Sequence, residues 1–124
     1  QTVVAANRDP AHPTSESLAE LPKGKDITLV VVKYDAAAEQ GALDAVNELK
    51  EKHAVTHLDV VIANAGIFSA NPLVKDATRA DMREHVDVNV YGAISLYQAT
   101  RDLLQKATRE PIFATISSTA GSVR

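Results

Sequence analysis

The sequence of 124 residues predicts an α/β fold built on a parallel β-sheet. Two observations support this prediction. Short runs of β-branched and apolar residues alternate with longer segments of helical periodicity, and one such run, at residues 58–63, is apolar at nearly every position. A continuous apolar run suits a strand covered on both faces, as in a parallel sheet with helices on each side. Asn64-Ala65-Gly66 follows this strand directly, at the edge of the sheet where open α/β folds bind ligands.

Composition narrows the classes of function. An apolar content of 45% is enough for the core of one domain or of part of one. The net charge of -3 and the pI near 5.8 predict no surface for nucleic acid or for an anionic membrane. No apolar run approaches the roughly 20 residues that span a bilayer, and the absence of cysteine fits a reducing compartment. With no signal-peptide pattern either, we expect a cytoplasmic protein. The histidines are scattered without the spacing of metal ligands, so we expect no metal site.

The first predicted strand covers residues 2–6 and ends before Pro10, which cannot pair within a sheet. Arg8, at the carboxyl end of this strand, has two interpretations. It is either a solvated loop cation or a guanidinium that pairs with phosphate oxygens in a bidentate fork. Residues 11–26 are rich in proline, serine and charge, with one or two helical turns near 15–21, and are interpreted as surface structure that carries no chemistry.

The second predicted strand, residues 27–32, precedes a helix at about 37–53. Asp35 lies between the two and is predicted to be the N-cap of that helix. The helix places Leu43, Val46, Leu49 and Lys50 on one stripe, which is expected to face inward. Strand, helix and the strand at 58–63 together indicate a parallel crossover unit.

A long helix is predicted to begin at Thr78, with Asp81 in position for a capping box, and to end near residue 106. Its apolar seam should face inward and consists of Met82, Val86, Asn89, Ala93, Leu96, Thr100 and Leu103. Asn89 interrupts this seam with an amide, and a buried amide needs partners or costs about 1–3 kcal/mol. Either it bonds neighbouring backbone as a structural residue, or it holds an ordered water or orients a catalytic group; both roles are compatible.

The last predicted strand covers residues 111–116 and is followed by two serines. Their hydroxyls would point toward the same edge of the sheet as Asn64 and Gly66. A pair of serines is by itself a common way to cap a turn.

Three motifs in order give this sequence a specific resemblance. Asn64-Ala65-Gly66, then Asn89-Val90-Tyr91-Gly92 on a long helix, then Ser117-Ser118 before Gly121 resemble the short-chain dehydrogenase/reductase family. The resemblance covers nearly the whole chain. Residues 56–65 look closest to fungal ketoreductases of the norsolorinic acid ketoreductase type.

The resemblance implies a Rossmann-type, doubly wound parallel sheet and hydride transfer between a nicotinamide cofactor and a small-molecule carbonyl or alcohol. By position, Ser118 rather than Ser117 would hydrogen-bond the substrate carbonyl oxygen, in a Ser-x-x-Gly pattern with Gly121. Asn89 would be the catalytic-site asparagine that supports a proton-relay water.

The resemblance also implies cofactor contacts. Asn64-Ala65-Gly66 would stabilise the central sheet and flank the adenosine ribose, and Asp35 would contact the adenine amino group. Arg8, with no acidic residue at the end of the first strand, would favour the 2′-phosphate of NADP(H) over NAD(H). The physical logic agrees, because an acid there would accept from a ribose hydroxyl whereas an arginine accommodates a phosphate.

The sequence departs from the family pattern at both ends. The Gly-rich cofactor loop and the first strand would precede Gln1, and the catalytic tyrosine and lysine would follow Arg124. We therefore expect residues 1–124 to be a partial dinucleotide-binding domain. The absent strand would lie between those at 2–6 and 58–63, which leaves two strand pairs with exposed inner edges. The isolated chain is expected neither to fold stably nor to catalyse, whereas the full-length parent would be an enzyme.

The leading hypothesis is thus a segment of an NADP(H)-dependent carbonyl reductase. The alternatives are a non-catalytic nucleotide-binding regulatory or scaffold relative and an inactive truncated product. A Tyr-x-x-x-Lys motif after Arg124 and a Gly-rich loop before Gln1 would distinguish the enzyme. The resemblance further implies a homo-oligomer, a dimer or a tetramer, with Val90 and Tyr97 on the long helix as contacts unless they pack within the monomer.

Overall fold

The computed structural model of the chain describes residues 1–69 and 72–118 and has the α/β architecture that the sequence predicts. The strands are β1 (Thr2–Asn7), β2 (Thr28–Lys33), β3 (Val60–Ala63) and β4 (Ile112–Thr115). The α-helices are α1 (Pro13–Glu16), α2 (Gly41–His53), α3 (Arg79–Val86) and α4 (Gly92–Leu104); a 3-10 helix follows α1 at Ser17–Glu20, and a π-helix joins α3 to α4 at Asp87–Tyr91. Each strand lies within two residues of its predicted bounds.

The strands form two separate parallel pairs. β1 pairs with β2 from Thr2 opposite Thr28 onward, and β3 pairs with β4 from Val60 opposite Ile112 onward. β1 and β3 both line a cleft of about 700 Å³ at their carboxyl ends, and a second cavity of about 740 Å³ lies between their amino ends. The inner edges of the two pairs therefore face each other across open space, as the predicted strand order requires.

Only one face of β3 is covered. Val61 and Ala63 are buried on the side where α4 packs, whereas Val60 and Ile62 are 50% and 56% exposed. The expectation that the apolar run of β3 is covered on both faces is wrong for the described part of the chain. The exposed side chains of Val60 and Ile62 line the two cavities.

The main core lies between β2 and α2. Alternate residues of β2 and its extension are buried against one face of α2, and α4 closes the cluster; the buried members are Val30, Val32, Tyr34, Ala42, Ala45 and Leu49. The alternation follows from the two-residue period of a strand. Leu43, predicted to lie on the buried stripe of α2, is 48% exposed.

Helix α2 begins four residues later than predicted, and Asp35 is not its N-cap. The N-cap position is occupied by Gln40. The Asp35 carboxylate instead accepts a hydrogen bond from the backbone N–H of Ala37 at 3.0 Å, and the Asp35 carbonyl accepts one from Ala38 at 3.1 Å. These bonds close a tight turn, because the short side chain of an aspartate can mimic a backbone turn.

The predicted long helix begins as expected and is then interrupted. Thr78 and Asp81 form a full capping box, with N–H to side-chain distances of 3.2 and 3.0 Å. The π-helix between α3 and α4 adds one residue to a turn, which rotates everything beyond it by about 100° relative to α3. The predicted seam is therefore split: Met82 is 54% exposed, whereas Thr100 and Leu103 are buried.

Among residues 1–69 and 72–118, no helix combines the length and the apolar character that a transmembrane segment needs. Within the same residues, no group of three or more His, Cys, Asp or Glu side chains could hold a metal ion.

Candidate functional site

The parallel arrangement of the strands determines which segments form the candidate site. Parallel strands end at the same edge of a sheet, so the segments that follow β1, β2 and β3 meet there. The predicted cofactor contacts Arg8, Asp35 and Asn64-Ala65-Gly66 come from these three segments, and all of them line the 700 Å³ cleft. The structure thus brings together residues that lie far apart in the sequence at one edge of the two sheets.

Arg8 belongs to a loop whose shape depends on a buried serine. The hydroxyl of Ser15 in α1 donates to the carbonyl oxygen of Asp9 at 2.7 Å and accepts a hydrogen bond from the side-chain amide of Asn7 at 3.0 Å. Ser15 is only 4% exposed. The interpretation of residues 11–26 as mere surface structure is therefore wrong at Ser15, because α1 folds back on the end of β1. No local pattern in the sequence marks this burial.

Tyr34 connects the end of β2 to the start of α4. Its buried hydroxyl donates to the carbonyl oxygen of Gly92 at 3.0 Å. Burial, and to a lesser degree the neighbouring carboxylate of Asp35, raise the pKa of Tyr34 above its usual range. No motif in the sequence assigns a role to Tyr34. Its alternation with Val30 and Val32 could have indicated a position on the buried face of β2.

Gly92 allows the segment after β2 to approach α4 closely. A Cβ atom at Gly92 would lie 2.9 Å from the Cβ of Ala36 and 3.0 Å from its carbonyl oxygen. Side chains do not reach such distances without movement of the backbone. The turn that carries Asp35 is therefore held against the helix that immediately follows Asn89.

Asn89 lies in the π-helix, and its side-chain amide binds both backbone groups of Ile67. Its Oδ1 accepts from the Ile67 N–H at 2.8 Å, and its Nδ2 donates to the Ile67 carbonyl at 3.0 Å. Asn89 is exposed, so the expectation that it lies buried in an apolar seam is wrong. The partners that an amide requires are nevertheless present, as backbone of the segment after β3.

The position of Asn89 does not by itself define a catalytic role. A π-helix turn within an α-helix often occurs at a functional site. An amide oxygen can accept two hydrogen bonds and an amide nitrogen can donate two, so the bonds to Ile67 leave capacity for an ordered water. Gly66 lies directly beside this contact, since a Cβ at Gly66 would be 3.4 Å from the Asn89 Oδ1.

Ser117 and Ser118 follow β4 and are exposed. Thr115 at the end of β4 pairs with Ala63 at the end of β3. Ser118 and Gly66 each lie three residues beyond these paired strand ends. Within the described residues, no hydrogen bond joins either serine to Asn89 or to the cleft. Gly121 of the Ser-x-x-Gly pattern lies outside the described residues.

The sequence of the chain is similar to those of known enzymes. A family profile described as short chain dehydrogenase matches residues 1–124. The norsolorinic acid ketoreductase nor1 of Dothistroma septosporum is 40% identical over 106 residues, which cover 86% of this chain and 39% of that protein. The short chain dehydrogenase gsfK of Penicillium aethiopicum is 35% identical over 124 residues, which cover 98% and 48%. The chain thus spans less than half of the length of these curated relatives.

The fold has a close counterpart among solved structures. The crystal structure of NADPH-bound carbonyl reductase from chicken fatty liver superposes with a TM-score of 0.83 at 30% sequence identity. The superposition covers 97% of this chain and 49% of the reductase chain.

Proposed function

The chain belongs to the short-chain dehydrogenase family and has its Rossmann-type α/β fold, and on that premise we propose a function for the full-length protein. It is an NADP(H)-dependent oxidoreductase that reduces a ketone or another carbonyl group, or oxidises the corresponding alcohol. The observation that carries this proposal is the cleft beyond the carboxyl ends of the parallel strands, lined by Arg8, Asp35 and Asn64-Ala65-Gly66. In open α/β sheets that edge is where nucleotides bind.

The residues at this edge fit the polar groups of a dinucleotide. Arg8 would pair with the 2′-phosphate, because a guanidinium fork matches phosphate oxygens, and this favours NADP(H) over NAD(H). Asp35 would contact the adenine amino group, and Asn64-Ala65-Gly66 would flank the adenosine ribose. The NADPH-bound state of the chicken carbonyl reductase is consistent with this choice of cofactor.

The catalytic part of the proposal uses Ser118 and Asn89. When bound, the nicotinamide ring supplies or accepts the hydride at the substrate carbon. The Ser118 hydroxyl would donate a hydrogen bond to the carbonyl oxygen, on which negative charge develops during reduction. Asn89 would support a proton-relay water and, through Ile67, hold the segment that flanks the cofactor. The general acid would be the family's tyrosine, with its lysine, supplied from outside residues 1–124.

Residues 1–124 are proposed to be part of a dinucleotide-binding domain rather than a whole one. The chain covers 39% and 48% of two curated relatives. Its two parallel strand pairs face each other across cavities of about 700 and 740 Å³. One further parallel strand from elsewhere in the protein would fit between β1 and β3 and satisfy both inner edges.

The substrate class and the assembly are also proposals. Similarity to norsolorinic acid ketoreductases favours a ketone of the aromatic polyketide class. Exposed apolar side chains on one stretch of helix, at Val90, Ile94 and Tyr97, favour a homo-oligomer, a dimer or a tetramer. The ring of Tyr97 also packs edge-on against Phe113, with centroids 5.2 Å apart.

The experiment that tests the proposed function is a fluorescence titration of the full-length protein with NADPH and with NADH. The Arg8→Ala variant is titrated in parallel, and Arg79→Ala serves as the matched control because Arg79 is exposed and does not line the cleft. We expect NADPH to bind more tightly than NADH, and only Arg8→Ala to remove that preference.

Other outcomes have distinct meanings. If neither nucleotide binds, the oxidoreductase proposal fails. If NADPH binds but no ketone is reduced at any enzyme concentration, the protein is instead a nucleotide-binding relative without catalysis. If Arg8→Ala weakens both nucleotides equally, the cofactor preference does not depend on this guanidinium.

A further inference from the structure

Ser15 is a buried polar residue with no role in the proposed chemistry. It lies in the short helix α1, whose other residues are exposed. Only 4% of the surface of Ser15 is accessible to solvent. Within the described residues, Ser15 and Thr100 are the buried residues with a polar side chain, apart from the phenol of Tyr34. Thr100 bonds to the carbonyl of Leu96 on its own helix, whereas both side-chain partners of Ser15 lie in another segment.

Those partners are the two residues that flank Arg8. The Ser15 hydroxyl donates to the Asp9 carbonyl at 2.7 Å and accepts from the Asn7 side chain at 3.0 Å. One hydroxyl therefore uses its donor and one acceptor position to bridge the residue before Arg8 and the residue after it. Ser15 thus ties α1 to the side chain of the residue before Arg8 and to the backbone of the residue after it.

The bridge is itself held at both ends. The Asn7 carbonyl accepts from the backbone N–H of Tyr34 at 2.9 Å, which continues the ladder between β1 and β2. On the other side, the N–H of Ser15 donates to the His12 carbonyl at 2.7 Å, and the N–H of His12 donates to the Asp9 carbonyl at 3.2 Å. The loop from Asn7 to Ser15 is thus held by a connected set of hydrogen bonds, and Arg8, within this loop, is one of the residues that line the cleft.

We propose that Ser15 is a positioning residue that sets the preference for NADP(H) by holding Arg8 at the edge of the cleft. This inference rests on the proposed function, in particular on the pairing of Arg8 with a 2′-phosphate. A bidentate pair between a guanidinium and a phosphate requires a defined geometry. If the loop that carries the guanidinium becomes ordered only on binding, the loss of conformational entropy lowers the affinity. Ser15 never touches the cofactor. It acts by keeping the backbone of Arg8 in place before the phosphate arrives.

A residue with this role has a specific signature. Removal of the hydroxyl should weaken the binding of the nucleotide that carries the 2′-phosphate and leave the other nucleotide unaffected. A residue that only supports the fold would instead weaken both. Loss of one or two hydrogen bonds from the loop predicts that NADPH affinity falls about three- to tenfold.

The test measures the dissociation constants of NADPH and NADH for the full-length wild type and for Ser15→Ala, Arg8→Ala and Ser17→Ala. Ser17 is the matched control, since it is exposed and, within the described residues, its hydroxyl bonds only to Thr14 of its own segment. Asn7→Ala is a second variant that removes one of the two bonds, for use if Ser15→Ala yields little folded protein.

The expected result is that Ser15→Ala, or Asn7→Ala in its place, lowers the NADPH preference in the same direction as Arg8→Ala, while Ser17→Ala does not. The inference is overturned if Arg8→Ala removes the preference but the Ser15 and Asn7 variants keep it, or if they weaken both nucleotides equally. If Arg8→Ala keeps the preference for NADPH, the proposed pairing of Arg8 with the 2′-phosphate is wrong, and the inference about Ser15 is wrong with it. The Arg8 variant alone identifies this outcome.

Discussion

The side chain of Asn89 binds the backbone of Ile67 through two hydrogen bonds, 2.8 and 3.0 Å long, that use one donor and one acceptor on each residue. The side-chain amide of Asn89 thus pairs with Ile67 as a backbone peptide group pairs across two β-strands, and it joins the π-helix to the segment after β3. It connects the edge of the cleft to the long helical region that lies 22 residues further along the chain. Asn89 therefore holds in place the backbone of Ile67, the residue that follows Gly66.

Replacement of Asn89 by leucine removes both bonds to Ile67. We expect Asn89→Leu to lower the free energy of unfolding of the full-length protein by about 1–2 kcal/mol, since each hydrogen bond contributes about 0.5–1.5 kcal/mol net. The Ile67 amide should also exchange its hydrogen faster. Denaturant unfolding and hydrogen exchange measure the two effects. Asn47→Leu, at an exposed position of α2, is the control; an equal loss in both variants would contradict the prediction.

Gly92 should not tolerate alanine, although alanine is the better helix former by about 1 kcal/mol. The added Cβ would lie 2.9 Å from the Cβ of Ala36 and 3.0 Å from its carbonyl, and such overpacking costs about 1–3 kcal/mol. We expect Gly92→Ala to lower the melting temperature. Gly24→Ala is the matched control, because its Cβ would meet only the flexible end of Ile27 at 3.4 Å. A melting temperature at or above that of the wild type would show that the contact with Ala36 is loose.

Tyr34 should make stability depend on pH at the alkaline end. Burial, followed by the nearby Asp35, raises the pKa of the Tyr34 phenol in the folded protein. The neutral phenol therefore stabilises the fold below the pKa of an unfolded tyrosine, about 10, and this contribution is lost as the pH rises through the folded value. Tyr34→Phe should cost about 1 kcal/mol at neutral pH through the lost bond to Gly92.

The same variant should show a shallower loss of stability above pH of about 10. Tyr97→Phe, at an exposed position, should keep the steep alkaline slope of the wild type. Unfolding by denaturant at a series of alkaline pH values measures both curves. Identical slopes in the wild type and in Tyr34→Phe would contradict the prediction.

Asp59 should make stability depend on pH at the acid end. Hydrogen bonds from the backbone N–H and then the hydroxyl of Thr108 hold the pKa of Asp59 below its usual range, helped by His57 and Arg109. The stabilisation is fully present above the pKa of an unfolded aspartate, about 4, and is lost as the pH falls through the lower folded value.

Asp59→Asn should therefore reduce the melting temperature at neutral pH and flatten its decline below pH of about 4. Asp102→Asn is a suitable control, because Asp102 is exposed and, in the part of the chain that the structure describes, its one ion pair is a 3.9 Å contact with its neighbour Arg101. Thermal scans across the acid range compare the three proteins. An unchanged acid slope in Asp59→Asn would refute the assignment.

The isolated chain of residues 1–124 is predicted not to unfold cooperatively. Its two strand pairs present unpaired inner edges, and β3 exposes half or more of the surface of Val60 and Ile62. Such edges and apolar surface favour association with other chains. Circular dichroism during heating and size-exclusion chromatography measure the outcome. A sharp thermal transition of a monomeric species would contradict this prediction.

The strands and the start of α3 could be predicted from the sequence because they depend on neighbouring residues. Runs of β-branched residues prefer extended backbone, and all four strands end within two residues of the expected bounds. The capping box of Thr78 and Asp81 likewise needs only residues three apart. The motif Asn64-Ala65-Gly66 was expected at the edge of the sheet and lines the cleft there, whereas Asn89 and Ser118 are not among the residues that line it.

Tertiary contacts decided what local patterns could not. Asn89 was expected in a buried seam, but it lies in a π-helix and its amide bonds the backbone of Ile67, which is distant in the sequence. Ser15 and Tyr34 acquired their roles from partners in other segments, Tyr34 from a carbonyl 58 residues away. The sequence by itself determined the class of fold, the strands and the family. Which polar groups are paired was determined only when the segments came together, because burial of a polar group is tolerated only where the packed chain supplies its partner.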